Sequence, residues 1–154
     1  MGEVTFEQAN LMLRIFELRR EPRLRQARTW FDHKFNAATP EEIMKKYPPS
    51  SEENTNIRMV VGYWDMVAGI VNRGLIDEEF FFESNGEGFF VWEKIKHIAP
   101  AWRAALKDPT IFANLEEYSR RLEAWREKRA PGSTAAMRQM VEQMSQTAAK
   151  AAGE

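Results

Sequence analysis

The chain has 154 residues, of which 44% are hydrophobic and 29% are charged, and its formal net charge at pH 7 is −1. This length and composition are typical of a single globular domain that can bury a sizeable core. The chain has no cysteine, which excludes disulfides and thiolate chemistry. The small negative charge argues against nucleic acid as a partner, because nucleic-acid binding favours a strongly basic face.

The hydropathy pattern predicts a protein without a membrane span. No apolar run approaches the about 20 residues that a transmembrane helix needs. The first residues also lack the basic and apolar regions of a signal peptide. A cytoplasmic location is therefore the expectation.

The first third of the chain predicts three helices. Thr5 is a suitable cap for a first helix that extends to about Arg20. Pro22 favours the start of a second helix, and Thr39 followed by proline favours a third that ends near Tyr47. Apolar residues recur in the first helix at helical spacing: Phe6, Ala9, Leu13 and Phe16 form one stripe, which Leu11, Ile15 and Leu18 widen.

Five arginines cluster around the junction of the first two predicted helices. Such a cluster could bind an anion or an acidic partner. A solvated helical corner is the favoured interpretation, because charge runs on helices usually face water. The arginines are Arg19, Arg20, Arg23, Arg25 and Arg28.

The longest predicted helix extends from about Ser51 to Arg73, and we expect the other helices to pack around it. Most of its circumference is apolar, which is typical of a core helix. At 100° per residue, five of its residues share a strip about 80° wide. These residues are Arg58, Gly62, Asp65, Gly69 and Asn72.

The two glycines of this strip need a physical reason, since each costs roughly 1 kcal/mol relative to alanine inside a helix. Close approach of a neighbouring helix is the favoured explanation, and a groove with a floor of bare backbone is the alternative. A carboxylate in a dry contact needs a donor, and we expect Arg103 to pair with Asp65 bidentately. The five strip residues and Arg103 are the candidate contacts for a ligand or partner.

The second half of the chain predicts a series of shorter helices. Gly74 suits a left-handed helix end and Asp77 suits a cap for a short helix. Further helices are expected at residues 89–97 and 101–107, and Asp108 followed by proline predicts another start. Within this half, residues 88–92 are the stretch most compatible with a strand. The helix expected after Asp108 has a near-heptad seam: Ile111, Leu115, Tyr118, Leu122 and Trp125.

The last segment, from Ser133 to Ala152, follows a Pro-Gly hinge and has a helical stripe of methionine and alanine without aromatic residues. Such a stripe can pack adaptably against several surfaces. We predict a helical core domain at residues 1–130 and a C-terminal appendage at residues 131–154, docked on the bundle or on another subunit. The appendage is expected to be dispensable for folding of the rest. The predicted fold is an all-α, single-domain bundle of seven or eight helices with a C-terminal amphipathic helix.

The sequence contains no recognisable catalytic or cofactor motif. Glu93 and His97 are four residues apart and could share a helix face, but the further ligands of a di-iron bundle are absent. The common zinc, phosphate-loop, dinucleotide and nucleophile-elbow patterns are absent as well. We therefore expect no metal, no cofactor and no catalytic residues, and a structural role for His97.

A set of residues in the middle of the chain resembles an uncharacterised bacterial domain family. Members of that family share a helix that ends in a glycine–hydrophobic–Ile-Asp turn, a following helix that bears tryptophan, and a later arginine. Many also carry an N-terminal membrane helix. The resemblance covers roughly residues 5–125 and implies a helical fold, and it carries no catalytic residues with it. The matching residues are Tyr63-Trp64-Asp65, Ala68, Val71, Gly74-Leu75-Ile76-Asp77, Phe80, Trp92, Ile95, Ile98, Trp102-Arg103 and Phe112.

Two functional hypotheses from different classes remain. The favoured one is a non-enzymatic interaction or regulatory module that binds a protein partner or a second copy of the chain. The alternative is a small-molecule- or metal-dependent enzyme that uses Asp65, Arg58 and Asn72, or the pair Glu93 and His97. A deep pocket at the glycine strip would favour the alternative.

Overall fold

The computed structural model describes residues 2–153, which form nine α-helices and no strand. The all-α prediction is confirmed: eight helices have seven residues or more, and one has five. In chain order they are α1 (Phe6–Arg19), α2 (Pro22–His33), α3 (Pro40–Lys46), α4 (Glu52–Asn72), α5 (Glu78–Phe82), α6 (Glu87–Ile95), α7 (Ala99–Leu106), α8 (Ala113–Arg129) and α9 (Ser133–Ala152). Across the described chain, none of the helices combines the length and apolar character needed to cross a membrane.

Four helix starts use the cap chemistry that the sequence predicts. The side-chain oxygens of Thr5, Thr39, Ser51 and Asp77 each accept the backbone N–H of the residue three positions ahead. Each such bond satisfies an N–H that the helix itself leaves unpaired, and contributes about 1 kcal/mol. These caps fix the starts of α1, α3, α4 and α5 locally.

The predicted helix start at Asp108 is wrong. Asp108 Oδ1 accepts the N–H and the hydroxyl of Thr110 at 2.8 and 2.6 Å, so this side chain closes a turn instead of starting a helix. Lys107 and Phe112 have φ angles of 53° and 56°, in the left-handed region that interrupts a right-handed helix. As a result α8 begins only at Ala113.

The core surrounds α4, which packs against α2, α6 and α8. Trp64 of α4 is fully buried, together with Phe31 of α2, Phe89 of α6 and Tyr118 of α8. Burial of each large side chain contributes about 1.5–3 kcal/mol. The prediction that the other helices pack around this one therefore agrees with the structure.

Gly88 of α6 lies where α4, α6 and α8 meet. A Cβ atom at this position would come within 3.0 Å of Trp64 Cε3 and 3.0 Å of Tyr118 Cε1. Both neighbours are rings in the buried core, which cannot move aside cheaply. Glycine at this position allows α6 to lie directly against both other helices.

The apolar stripe of α1 faces water. Phe6 is 79% exposed, and Leu13 and Phe16 are exposed as well. The helix is held by its opposite face, where Ile15 is buried and its carbonyl accepts the Tyr63 hydroxyl at 2.6 Å. Of the residues that widen the stripe in the sequence, Leu11 and Ile15 pack against the bundle, while Leu18 is exposed.

The C-terminal helix α9 lies on α2, α6 and α8. Val141 and Ala148 are buried there, and Arg138 pairs with Glu93 and Glu123 at 2.7 and 2.8 Å. The buried residues of the main core cluster end at Leu122, well before α9. A division between a core and a C-terminal appendage is compatible with this packing and stays a prediction.

Truncation after Arg129 should leave the remainder folded, with a free energy of unfolding lower by a few kcal/mol. The reason is that the main core cluster is complete without α9, which contributes a partly buried face and ion pairs. Circular dichroism melts of the truncated and full chains measure the difference. Loss of the cooperative transition in the truncated chain would show that α9 is part of the core.

Candidate functional site

The candidate residues of α4 lie along one face of the helix and divide into two groups. Asp65, Gly69 and Asn72 face the start of α8. Arg58 and Gly62 line a groove one to two turns nearer the start of α4. The strip is therefore part helix-packing surface and part groove.

Asp65 caps α8 from a different helix. Its Oδ1 accepts the N–H of Leu115 at 3.0 Å. Leu115 is the third residue of α8, and the cap position of that helix is occupied by Phe112, which has no side-chain acceptor. A carboxylate near a helix N-terminus also interacts favourably with the helix dipole. Burial raises the pKa of Asp65, and the Leu115 N–H and the charge of Arg103 offset only part of this rise.

The expected bidentate pair between Asp65 and Arg103 is wrong. Arg103 Nη2 instead pairs with Glu116 at 2.7 Å, and its Nε donates to the carbonyl of Ile111 at 2.8 Å. Asp65 accepts the backbone N–H of Leu115, and Arg103 acts on this carboxylate only through its charge. Its direct role is to hold the segment between α7 and α8 against both helices.

The close approach of α8 to α4 explains why residue 69 is a glycine. A Cβ atom there would lie 3.2 Å from Asn114 Nδ2 and 3.0 Å from Arg73 Nη1. The neighbouring Asn72 donates from Nδ2 to the carbonyl of Asn114 at 2.9 Å. The first turn of α8 is thus attached to α4 by Asp65 and Asn72, with Gly69 leaving the space for it.

No neighbouring helix in the described chain comes close enough to explain why residue 62 is a glycine. Apart from its chain neighbours and the backbone of its own helix, no described residue has an atom within 4 Å of a Cβ built at this position, and Gly62 is exposed. It forms part of the floor of a groove of about 310 Å³ between α3, α4, α7 and the segment that precedes α8. The groove is lined by Ile43, Met44, Asn54, Ile57, Arg58, Val61, Gly62, Trp102, Leu106, Ile111 and Phe112.

The groove is apolar and has one charged residue. Its polar side chains are Asn54 and Arg58, and the rim residues Met44 and Leu106 are 57% and 68% exposed. Arg58 donates to Asn54 Oδ1 at 3.0 Å and to Thr55 Oγ1 at 3.4 Å. Within residues 2–153 no carboxylate pairs with Arg58, so a positive charge stands uncompensated beside an apolar surface.

Glu93 and His97 line the same cavity of about 150 Å³, but their side chains bond to different partners. The Glu93 carboxylate pairs with Lys96 and with Arg138, while His97 Nε2 lies 3.2 Å from the carbonyl of Ala37. In the described part of the chain, no three His, Asp or Glu side chains are grouped so that they could hold a metal ion.

The arginine cluster is partly structural. Arg28 binds Glu87 through Nε at 2.6 Å and Nη2 at 2.8 Å, and Arg19 binds the same carboxylate at 3.1 Å. This clamp joins α1 and α2 to the start of α6. The interpretation of these two arginines as solvated is therefore wrong. Their partner Glu87 lies 59 positions from Arg28 and 68 from Arg19, so the residues near the arginines in the sequence do not reveal it.

Sequence reasoning also missed most of the groove. Its walls come from α3, α7 and the segment before α8, so no single periodic pattern contains them. The free-energy cost of glycine at position 62 is the one signal in the sequence that indicates the groove.

Comparison with protein families gives a match over most of the chain. A model described as a domain of unknown function, DUF4760, matches residues 4–122. The matched range includes the whole α4 strip and the groove. Comparisons with curated proteins and with solved structures found no match.

The substitutions Gly69→Leu and Gly62→Leu should have opposite effects on stability. Leucine at position 69 would overpack the contact with Asn114 and should lower the free energy of unfolding by about 1–3 kcal/mol. Leucine at position 62 meets open space and should leave it unchanged or raise it by up to about 1 kcal/mol, since leucine is a better helix former. Denaturant unfolding of the two variants measures both values, and equal losses would show that the groove is closed in solution.

Two substitutions of Asp65 should distinguish the contribution of its hydrogen bond to the Leu115 N–H from the contribution of its negative charge. Asp65→Ala removes the acceptor of the Leu115 N–H and should cost about 0.5–2 kcal/mol, as for other helix caps. Asp65→Asn keeps an oxygen at that position and should cost clearly less. Urea unfolding at neutral pH compares the two, and an equal loss in both variants would assign the stabilisation to the negative charge instead.

Proposed function

The chain belongs to the family of the domain of unknown function DUF4760, and we propose that it is a non-enzymatic interaction module whose groove over Gly62 binds an amphipathic helix of a protein partner. The observation that carries this proposal is an open apolar groove with a glycine in its floor. A cytoplasmic, bacterial setting is part of the proposal and rests on the sequence alone.

The floor of the groove supports a role in binding. Glycine in the middle of α4 costs roughly 1 kcal/mol relative to alanine, and no described neighbour of Gly62 comes close enough to require it. Without a Cβ atom at this position, an occupant reaches the helix backbone itself. A partner side chain that packs on Gly62 would therefore explain the free-energy cost of glycine at this position.

The size and lining of the groove support a peptide helix as the occupant. Helix-in-groove recognition places a few apolar anchors, spaced three or four residues apart, into an apolar cleft. A groove of about 310 Å³ lined by Ile57, Trp102 and Leu106 offers such a cleft. Exposed methionine at the rim, here Met44, adapts to different anchor shapes.

The charges around the groove favour an acidic partner. Arg58 lines the groove with no carboxylate paired to it in residues 2–153. Exposed Lys107 follows the rim residue Leu106, and exposed Lys45 follows Met44. A partner helix with a carboxylate next to its apolar anchors would meet Arg58 through a charge-assisted hydrogen bond.

Selection from a displayed library of helical peptides on the full chain tests the proposal. Enriched peptides should carry apolar residues at helical spacing and an acidic residue beside them. Gly62→Leu, which fills the floor, should weaken their binding at least about tenfold, which corresponds to about 1.4 kcal/mol. Arg58→Glu should weaken acidic peptides more than the same peptides with glutamine in place of the acid. Fluorescence anisotropy with purified peptides measures both effects.

Two exposed positions outside the groove, Met66 on α4 and Arg73 directly after it, serve as matched controls. Met66→Leu introduces the same side chain as Gly62→Leu, and Arg73→Glu reverses a charge as Arg58→Glu does. Both controls should bind the peptides like the parent chain. The proposal fails if no helical peptide is enriched, or if the enriched peptides bind Gly62→Leu as tightly as the parent.

A further inference from the structure

Arg126 of α8 is a buried cation without an acidic partner. The residue is 9% exposed, and its Nη1 atom is buried with no hydrogen-bond partner in residues 2–153. Burial lowers the pKa of its guanidinium. An arginine this deeply buried is normally paired, because removing an uncompensated charge from water is costly.

The acidic side chains at the start of α6 and one turn before Arg126 bind other residues. Glu87, at the start of α6, is bound by Arg19 and Arg28. Glu123, one turn before Arg126 on the same helix, is bound by Arg138. No described carboxylate therefore compensates the charge of Arg126 at ion-pair distance.

The guanidinium of Arg126 lies against the first turn of α6. Its Nη2 atom is 3.5 Å from where a Cβ atom of Gly86 would be, and its central carbon is 5.1 Å from the centroid of the Phe89 ring. The Phe89 ring attracts the cation but does not replace an oxygen acceptor for its N–H groups. The side chain thus points at the α6 N-terminus and retains unused donors there.

The N-terminus of α6 is itself a positive feature, and the acidic residue of its first turn, Glu87, is bound by Arg19 and Arg28. Its cap residue is Gly86, and no described side chain forms a cap hydrogen bond to this helix. The first N–H groups of a helix and its dipole favour a negative charge at this end. A cation such as Arg126 interacts unfavourably with this end of the helix dipole, and an anion between the two would offset that interaction.

We propose that Arg126 and the first turn of α6 bind a small oxoanion, either a phosphate group or a carboxylate. The guanidinium supplies two parallel donors that fit two oxygens of such a group. Backbone N–H groups at the start of α6 supply further donors, as helix N-termini do in anion sites. Gly86 has no side chain to block the approach, so the anion bridges the two positive features.

Titration of the isotope-labelled full chain with inorganic phosphate tests the site, followed by the amide resonances of Gly86, Glu87 and Gly88. Acetate is the carboxylate arm, and sodium chloride at matched ionic strength is the control. Saturable shifts of these three amides with phosphate or acetate, absent with chloride, are expected. Whichever anion shifts them identifies the chemical class of the ligand.

Substitution of Arg126 gives the second readout. Arg126→Met keeps an apolar stem without the charge and should weaken anion binding at least about tenfold, the loss expected for charge-assisted bonds. Arg126→Lys keeps the positive charge but lacks the two parallel N–H donors of the guanidinium, and should weaken anion binding less. Arg120→Met, at an exposed position of the same helix, makes the same change in net charge and should bind like the parent chain.

Thermal melts complete the test, since an anion that binds only the folded chain raises Tm with its concentration. The rise should occur in the parent and in Arg120→Met and vanish in Arg126→Met. The proposal is overturned if neither anion moves the α6 amides beyond the chloride control, or if Arg126→Met responds like the parent. Should Arg126→Met not fold, the titrations of the parent and of Arg126→Lys decide.

Discussion

The contact at Gly88 is the steric constraint on which the arrangement of the bundle depends. The backbone of α6 lies so close to Trp64 of α4 and Tyr118 of α8 that a single added carbon would come within 3.0 Å of each ring. Both rings are fully buried, and Tyr118 is further held by the bond from its hydroxyl to the carbonyl of Asn85 at 2.9 Å. Close-packed interiors transmit such a constraint to their neighbours instead of absorbing it.

One consequence of this contact is the position of Glu87, the residue before Gly88. With α6 fixed against the core, the carboxylate of Glu87 is placed where Arg28 of α2 and Arg19 of α1 reach it. A mostly buried carboxylate with two guanidinium partners is well satisfied, and the bidentate bonds from Arg28 fix its orientation. The steric contact in the core and the ion pairs at its edge therefore set the positions of α1, α2 and α6 together.

Features that depend on local chemistry could be predicted from the sequence, and features that depend on distant partners could not. Thr39 and Ser51 start helices because their side chains bond to residues three positions ahead, which the sequence places within reach. The apolar circumference of α4 likewise identifies it as the core helix. By contrast, the donor to Asp65 is the backbone N–H of Leu115, 50 positions away. A backbone donor cannot be recognised from side-chain types, so the sequence alone favours Arg103 as the partner of Asp65.

The stripe of α1 shows a second limit of the same kind. Helical periodicity reveals that Phe6, Leu13 and Phe16 share a face, but it does not reveal what that face meets. In the fold, Ile15 on the other side of the helix is the residue that Tyr63 holds. An apolar stripe in a sequence is evidence of amphipathicity, and the choice between core and surface is made by the packing of other helices.

The start of α8 connects the two groups of candidate residues on α4. Had α8 begun at Pro109, its first four residues would have added about 6 Å of helix ahead of Ala113. Instead Phe112 takes a left-handed conformation, and Asp108 holds the preceding residues in a turn. Ile111 and Phe112 then become walls of the groove beside Gly62, while Asp65 supplies the cap that Phe112 cannot. The same departure from helical geometry thus leaves α8 without a cap of its own, which Asp65 supplies, and provides two walls of the groove. For this reason Gly69 packs against α8 while Gly62 faces the groove, although glycine has the same local cost at both positions.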